Sequence, residues 1–309
     1  MVVQAYGKRS LEVIDWVEDA LKNRAPIHIR LVKGAYWDYE IKQSQVKSHP
    51  GYSVYTNKSL TDLSFLHAAK KILDINKIYP KFATHNAHTI SSIYQIGLNK
   101  SYEFQRLFGM GELLYDSARK VLTNLPKTSI YAPVGAYKDL LPYLVRRLLE
   151  NGANSSFINR LHNAEVDPRK LAANPVKALK LKIKKNNLLQ IKLPKNMFHD
   201  RDNSPGLDLS ERENIDAMKL HLTKYENIKF QASSCMGSLG IKNEVHSLCN
   251  GRVIGSVIFD HLDFINNTFS KKLGNFNWGR TTVAYRISIL TKAADLIQIH
   301  ASELLYLLM

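Results

Sequence analysis

Along the first half of the chain, segments with the two-residue hydrophobic alternation of strands take turns with segments that have the 3.6-residue repeat of helices. This pattern predicts five strands separated by helices. The strands are predicted at residues 2–6, 27–33, 81–84, 102–107 and 129–133. The predicted helices include residues 10–22, with Ser10 as the expected cap, 60–75, 91–96 and 139–151. Because no hairpin signal separates the strands, they are expected to pair in parallel through right-handed βαβ units.

The carboxyl ends of these strands carry the polar residues from which a site is expected. They are Gln4, Arg30, Lys33, Thr84, His85, Asn86, Gln105 and Tyr131. Ligands bind at this end of the strands in α/β folds. The layout predicts a (β/α) barrel with its ligand on the carboxyl face, and a doubly wound open sheet is the alternative.

The strand at residues 27–33 lies between Pro26 and Gly34 and is aliphatic enough to be covered on both faces. Arg30 and Lys33 lie toward its carboxyl end, followed by two aromatic residues and a polar helix. Two cations on a strand are consistent with a ligand site, or with snorkelling surface residues. The pattern alone leaves both interpretations open.

The sequence changes character after residue 160. Residues 161–250 are basic, weakly periodic and interrupted by prolines, which indicates an arm or linker with local helices. Residues 251–309 predict a short strand at 253–257, a helix at 263–271 and one long final helix at 283–308. The predicted domains are therefore residues 1–160, 161–250 and 251–309.

The formal net charge is +16, and a charge of this size suits nucleic acid or an anionic membrane surface. The densest basic cluster, residues 177–195, has no aromatic residue to stack a base, so it is interpreted as a solvated or docked connecting segment. No specific nucleic-acid site is expected. The two cysteines lack metal-ligand spacing, and no apolar run is long enough to span a membrane, so neither a metal site nor a membrane span is expected, and a cytoplasmic location is the default.

The helix predicted at residues 139–151 has a broad apolar arc and an opposite arc that carries Tyr143, Arg146, Arg147 and Glu150. Two adjacent guanidiniums beside an aromatic ring form a clamp for an anionic substrate, with Glu150 orienting them. A solvated face with ion pairs between neighbouring turns is the alternative.

His85 and Asn86 follow a strand and are open to three interpretations: a ligand pair, a general base, or polar groups that close a turn. The sequence contains no GxSxG, P-loop or GxGxxG element. The residues by themselves therefore predict a carboxyl-face site for an anionic cofactor and a carboxylate substrate. They do not specify a reaction.

Six motifs together resemble the flavin-dependent proline dehydrogenase domain of the bifunctional proline utilization A flavoenzymes. In chain order they are VVQAY at 2–6, IRLVKGAYWDYEIK at 29–42, FATHNAH at 82–88, YEFQRLFGMGE at 102–112, YAPVG at 131–135 and LVRRLLENGANSSFINR at 144–160. Residues 201–210 resemble the connector to the second enzyme domain. Residues 253–309 resemble, more loosely, the helical start of that aldehyde-dehydrogenase-like domain.

The resemblance implies FAD, with L-proline as substrate, pyrroline-5-carboxylate as product and a membrane quinone as electron acceptor. It implies that FAD is held by Gln4, Arg30, Lys33, Gly34, Ala35, Tyr36, Trp37, Thr56, Thr84, His85 and Asn86. It also implies that proline is bound by Tyr131, Tyr143, Arg146 and Arg147, with Glu150 orienting the arginines and Arg30 beside the reactive flavin atom. A peripheral position at the inner face of the membrane would bring the site to the quinone.

The chain departs from the family pattern in ways that affect function. Its first strand corresponds to the fourth barrel strand of the family, so the resemblance implies an incomplete (β/α)8 barrel of about five βα units. The chain is therefore expected to be a fragment, inactive alone, that needs a separate chain to supply three strands. Phe108 stands where the family has a histidine. Aldehyde dehydrogenase activity is not expected. The alternative is a non-catalytic remnant that binds nucleic acid or membrane surfaces weakly through its charge.

Overall fold

The computed structural model describes residues 1–152, 174–184, 191–233, 240–272 and 278–309. These residues form two compact units, residues 1–207 and residues 208–309. Each unit has its own sheet. The candidate site lies in the first unit.

The first unit alternates strands and helices. Its strands are β1 (Val2–Gln4), β2 (Ile27–Val32), β3 (Ile78–Ala83), β4 (Glu103–Leu107) and β5 (Thr128–Tyr131). Its helices are α1 (Ser10–Ala20), α2 (Trp37–Val46), α3 (Lys58–Asp74), α4 (Ala87–Ile96), α5 (Glu112–Val121), α6 (Tyr137–Gly152) and α7 (Pro175–Lys184). A 3-10 turn, Pro194–Asn196, follows α7.

The five strands form one sheet in the order β1-β2-β3-β4-β5, and every neighbouring pair is parallel. The prediction of parallel βαβ units is confirmed. A doubly wound sheet reverses its strand order at a switch point, whereas a barrel adds strands in sequence. The observed order is therefore the one expected for part of a barrel.

The core of this unit lies between the sheet and its helices. Val3, Leu31, Phe82 and Phe104 form one row across four neighbouring strands, and all four are buried. The buried faces of α1, α3 and α4 pack against this row. Alternation along the strands places this apolar row toward the helices and leaves neighbouring polar residues, such as Gln105, on the opposite face.

The basic segment after α6 is docked in the part that the structure describes. Helix α7 packs against α3 and buries Leu179. Further on, the hydroxyl of Tyr52 donates a 2.6 Å hydrogen bond to the carbonyl oxygen of Lys192. The described part of this cluster thus packs along the first unit.

The second unit contains a three-stranded sheet in the order β6-β8-β7, in which β6 and β8 are parallel and β7 and β8 antiparallel. Its elements are α8 (Arg212–Thr223), β6 (Phe230–Ala232), β7 (Ile241–His246), β8 (Val253–Phe259), α9 (Leu262–Lys272), the 3-10 turn Trp278–Arg280, α10 (Val283–Ile299) and α11 (Ala301–Leu308). The rings of Tyr225, Phe230 and Tyr306 pack together at centroid distances of 6.0 to 6.3 Å.

Three expectations for the first unit were wrong. Ser10 does not cap α1: it is buried inside the first turn, and its hydroxyl lies 3.3 Å from that of Ser64 on α3. Strand β2 is not covered on both faces, because Ile29 and Leu31 are buried while His28 is exposed and Arg30 only partly buried. Strand β3 begins three residues before the predicted start and includes Pro80, which pairs with Ile29.

Two expectations for the rest of the chain were also wrong. The stretch assigned to local helices contains β6, too short for a periodic signal, and β7, whose residues IKNEVH are all exposed and so lack a buried apolar alternation. The single helix predicted at residues 283–308 is two helices, because the backbone leaves helical geometry at His300. The apolar stripe continues past this residue, so periodicity alone does not reveal the break.

In the ranges that the structure describes, no helix is both long and apolar enough to cross a membrane.

Candidate active site

Parallel pairing brings the ends of β1 to β5 to one edge of the sheet, where the polar strand-end residues lie. Arg30 is the centre of this group. Its Nε donates a 2.8 Å hydrogen bond to Oε1 of Gln105 on β4, and its guanidinium lies over the Tyr131 ring, 4.9 Å from the centroid. Burial lowers the pKa of Arg30 from its usual value, yet an arginine remains charged at neutral pH.

Helix α6 turns its polar arc toward this edge. The guanidinium of Arg146 lies 5.2 Å from the centroid of the Tyr36 ring, in the segment after β2, and that of Arg147 lies 5.3 Å from the Tyr143 ring. Among the described residues, the buried Nε of Arg146 has no hydrogen-bond partner. This donor is therefore available to an anionic ligand.

Three described residues of the apolar arc of α6 are exposed. Leu141, Leu144 and Val145 are 44%, 48% and 45% exposed, whereas Tyr143, Arg146 and Arg147 are partly buried. The face that carries the arginines is therefore partly buried, which favours the clamp over a solvated face. Glu150 belongs to α6, but its side chain lies outside the described residues, and its expected orienting role stays a prediction.

His85 lies at the end of β3 among these cations. The backbone N–H of Leu107 donates a 3.1 Å hydrogen bond to its Nε2, which places the ring proton on Nδ1. Burial, with the charges of Arg147, Arg106 and Arg30, lowers the pKa of His85 to about 4. His85 is therefore neutral at pH 7 and adds no positive charge to the site. Within the described ranges, no group of three His, Cys, Asp or Glu side chains is arranged to hold a metal ion.

The segment after β2 combines a buried contact with exposed residues. Gly34 has a φ of +132°, and a Cβ there would lie 2.4 Å from the Tyr6 ring, so only glycine fits. Lys33 Nζ lies 2.5 Å from Oδ1 of Asp62 on α3, which compensates its charge. Ala35 and Tyr36 are exposed at the edge. Trp37 is fixed by a 2.8 Å hydrogen bond from its Nε1 to the carbonyl oxygen of Tyr55.

Other residues expected to contact the cofactor have local structural partners. The Oδ1 of Asn86 accepts the backbone N–H of Thr89 and so caps α4, and the hydroxyl of Thr84 accepts the N–H of Asn86. Thr56 is buried just before the α3 cap, and Gln4 is partly buried at the end of β1. Asn86 and Thr84 thus close a turn, as one of the three interpretations predicted, and they remain at the edge with His85.

Sequence reasoning noted Gln105 as a strand-end residue without a role, and it missed Lys81, Glu103 and Ser129. Glu103 is buried, pairs with Lys81 at 3.1 Å and accepts a 2.9 Å hydrogen bond from Ser129 Oγ. The alternate positions Glu103 and Gln105 on β4 are both polar, which is the sequence signal of an inward-facing polar row. Phe108 is 75% exposed and its N–H donates to the carbonyl oxygen of Tyr131.

Comparison with known proteins identifies the family to which the chain belongs. The family model described as "Proline dehydrogenase" matches residues 1–160. The bifunctional protein PutA of Escherichia coli is 40% identical over 99% of this chain and 25% of its own length. The mitochondrial proline dehydrogenase 2 of Arabidopsis thaliana is 29% identical over 48% of this chain and 33% of its own length.

Solved structures agree with the sequence comparison. A mutant of Bradyrhizobium japonicum proline utilization A matches with a TM-score of 0.66 and 41% identity, over 72% of this chain and 23% of that one. Proline utilization A from Bdellovibrio bacteriovorus, inactivated by N-propargylglycine, matches with a TM-score of 0.73 and 26% identity, over 99% of this chain and 32% of that one. The chain spans 25% of the length of the Escherichia coli relative. By its motifs, its fold and these matches, the chain belongs to the proline dehydrogenase family.

Proposed function

We propose that the carboxyl edge of the β1–β5 sheet binds FAD and L-proline and contributes to the oxidation of L-proline to pyrroline-5-carboxylate. The observation that carries this proposal is the convergence of Arg30, Arg146 and Arg147 with tyrosine rings at the ends of parallel strands. Membership of the proline dehydrogenase family supports the choice of substrate.

The residues present fit an anionic flavin nucleotide. The segment from Lys33 to Trp37 exposes Ala35 and Tyr36 at the edge, beside the guanidinium of Arg146, so an anionic ligand can reach this segment and the cation together. The flavin would be held by Gln4, Arg30, Lys33, Gly34, Ala35, Tyr36, Trp37, Thr56, Thr84, His85 and Asn86. When bound, it supplies the acceptor for the hydride that proline loses.

The two arginines of α6 would bind the carboxylate of proline. A guanidinium binds a carboxylate through paired hydrogen bonds, and the buried Nε of Arg146 is a donor without a protein partner among the described residues. Tyr131 and Tyr143 would exclude water from the substrate ring, because each ring already lies against one of the site's arginines. Glu150 is the proposed orienting carboxylate.

His85 is proposed to bind the cofactor and not to act as the base for the proline nitrogen. Its Nε2 already accepts the Leu107 N–H, and its pKa of about 4 makes it a weak base. Its Nδ1–H is a hydrogen-bond donor at neutral pH, which suits an acceptor atom on a ligand.

The wider context of the reaction is also a proposal. A membrane quinone would take the electrons, and a cytoplasmic chain placed at the inner face of the membrane would reach it. The net charge of +16 favours an anionic surface. Residues 251–309 would be the start of an aldehyde-dehydrogenase-like domain, as the loose resemblance of that segment implies.

A closed barrel would need further strands beside β1 and β5. Among the described residues, β1 pairs only with β2 and β5 only with β4, so both are edges. Strands supplied by the same polypeptide or by a separate chain would pair there, because closure removes exposed edges. We expect full activity only when those strands are present.

The substitution Arg146→Lys tests the substrate assignment. A lysine keeps the positive charge but loses the paired donors, so the KM for L-proline should rise about tenfold or more while flavin binding is retained. Arg119→Lys is the matched control, because Arg119 is exposed and pairs with Asp116 on α5. An unchanged KM in the Arg146 variant would contradict the proposed carboxylate clamp.

A further inference from the structure

Gln105 lies between Arg30 and a buried carboxylate on the inner face of the sheet. Its Oε1 accepts from Arg30 Nε at 2.8 Å, and its Nε2 lies 3.3 Å from Oε1 of Glu103 as a donor. The amide can serve both neighbours in one orientation only, since its oxygen must face the cation and its nitrogen the carboxylate. Gln105 is thus oriented by Glu103 and in turn orients Arg30.

Glu103 is a fixed anchor for this amide. It is 4% exposed, pairs with Lys81 at 3.1 Å and accepts the Ser129 hydroxyl at 2.9 Å. Burial acts to raise the pKa of Glu103, but the hydrogen bonds from Lys81, Ser129 and Gln105 outweigh it, and the net pKa lies below the usual value. The carboxylate therefore stays ionised near neutral pH.

Arg30 has a long side chain whose end needs a partner. Strand β2 fixes its backbone, but several rotatable bonds separate that backbone from the guanidinium. Among the described residues, the contacts that hold the guanidinium are the Gln105 hydrogen bond and the Tyr131 ring. Only the hydrogen bond is directional, because a ring contact permits rotation of the cation over the aromatic face.

We infer that Gln105 is a positioning residue that fixes the direction of the Arg30 guanidinium toward the flavin, with Glu103, Lys81 and Ser129 as its support. The inference rests on the proposed function in one respect, namely that the group facing Arg30 is the flavin. Gln105 acts through Arg30 and is not itself expected to touch the reacting atoms. Substitution of Gln105 should therefore change the position of the Arg30 guanidinium more than it changes substrate binding.

Hydrogen exchange at the Nε of Arg30 tests this inference without any cofactor. In ¹⁵N-arginine-labelled protein, with the resonance assigned by Arg30→Lys, exchange of this proton should speed up about tenfold or more in Gln105→Leu. The exchanged pair Glu103→Gln/Gln105→Glu keeps an acceptor for Arg30 and a hydrogen bond between positions 103 and 105, and it should restore slow exchange. Gln95→Leu, at an exposed site on α4, is the matched control and should leave the rate unchanged.

A second readout uses the flavin-loaded protein completed with the remaining barrel strands. Gln105→Leu should shift the flavin midpoint potential and lower kcat for proline with little change in KM, and the exchanged pair Glu103→Gln/Gln105→Glu should reverse much of the kcat loss. Unchanged Arg30 exchange in Gln105→Leu would overturn the inference, even if proline is oxidised. Failure of the wild-type protein to bind flavin would instead contradict the proposed function, and the exchange rates would still decide the role of Gln105.

Discussion

At the scale of single residues, His85 illustrates how its surroundings set the chemistry of the site. Burial and three arginines suppress its protonation, and the Leu107 N–H occupies its Nε2. A protonated imidazole would lose this acceptor and would add a charge beside Arg30, Arg106 and Arg147. The positive charge of the site thus lies on its arginines and not on His85.

His85 should make the protein sensitive to acid. Its folded pKa of about 4 lies below the usual 6.5, so between these values the unfolded chain binds a proton that the folded chain does not. The free energy of unfolding should therefore fall as the pH drops from 6.5 to 4, with His85 contributing roughly 2 to 3 kcal/mol.

Urea unfolding of His85→Gln and of the control His28→Gln, an exposed histidine, measures this contribution. The amide oxygen of the introduced glutamine can still accept the Leu107 N–H, so the comparison isolates the titration. The acid-dependent loss should shrink in His85→Gln and persist in His28→Gln. Equal pH dependence in the two variants would show that His85 does not carry the effect.

The sequence was sufficient to predict which residues converge, because strand order and periodicity place Arg30 and Tyr131 at one edge. It was not sufficient to predict their partners. Lys33 pairs with Asp62 and Arg30 with Gln105, residues 29 and 75 positions away along the chain. Such pairs depend on how helix and strand pack, and no local pattern contains that information.

At the scale of elements, α4 is joined to the site through its first turn. Asn86, directly after His85, caps this helix with a 3.0 Å hydrogen bond to the Thr89 N–H. The position of His85 therefore depends in part on a helix cap. Replacing the cap should affect both stability and the site.

We expect Asn86→Ala to lower the free energy of unfolding by about 1 kcal/mol, because the Thr89 N–H loses its acceptor. Asn86→Ser keeps a capping oxygen and should retain most of the stability. Chemical unfolding of the two variants beside the wild type measures the difference. An alanine variant as stable as the serine variant would mean that the cap contributes nothing here.

Periodicity predicted the strands and long helices of the first unit well, because alternation and the 3.6-residue repeat are both strong there. It failed where those signals are weak or misleading. Pro80 lies within a central strand although proline lacks a backbone donor, and the exposed residues of β7 carry no apolar alternation. The polar arc of α6 is the one turned to the site, a choice that needs knowledge of what surrounds the helix.

At the scale of the whole molecule, the first unit presents a parallel sheet whose outer strands are both edges in the described part of the chain. The site lies on the carboxyl edge of that sheet, and its arginines come from β2 and α6, at separated positions in the sequence. An arrangement of this kind works only while the intervening strands stay in register. The account therefore predicts that flavin binding and folding of the sheet are linked.

The visible absorbance spectrum of the purified chain with added FAD tests the central claim most directly. It should be recorded for the chain alone and after co-expression with the rest of a proline dehydrogenase domain from the Escherichia coli relative. The account predicts a bound-flavin spectrum in the completed protein, bleached by L-proline under anaerobic conditions. A completed, folded protein that binds no flavin, or whose bound flavin is not reduced by L-proline, would contradict it.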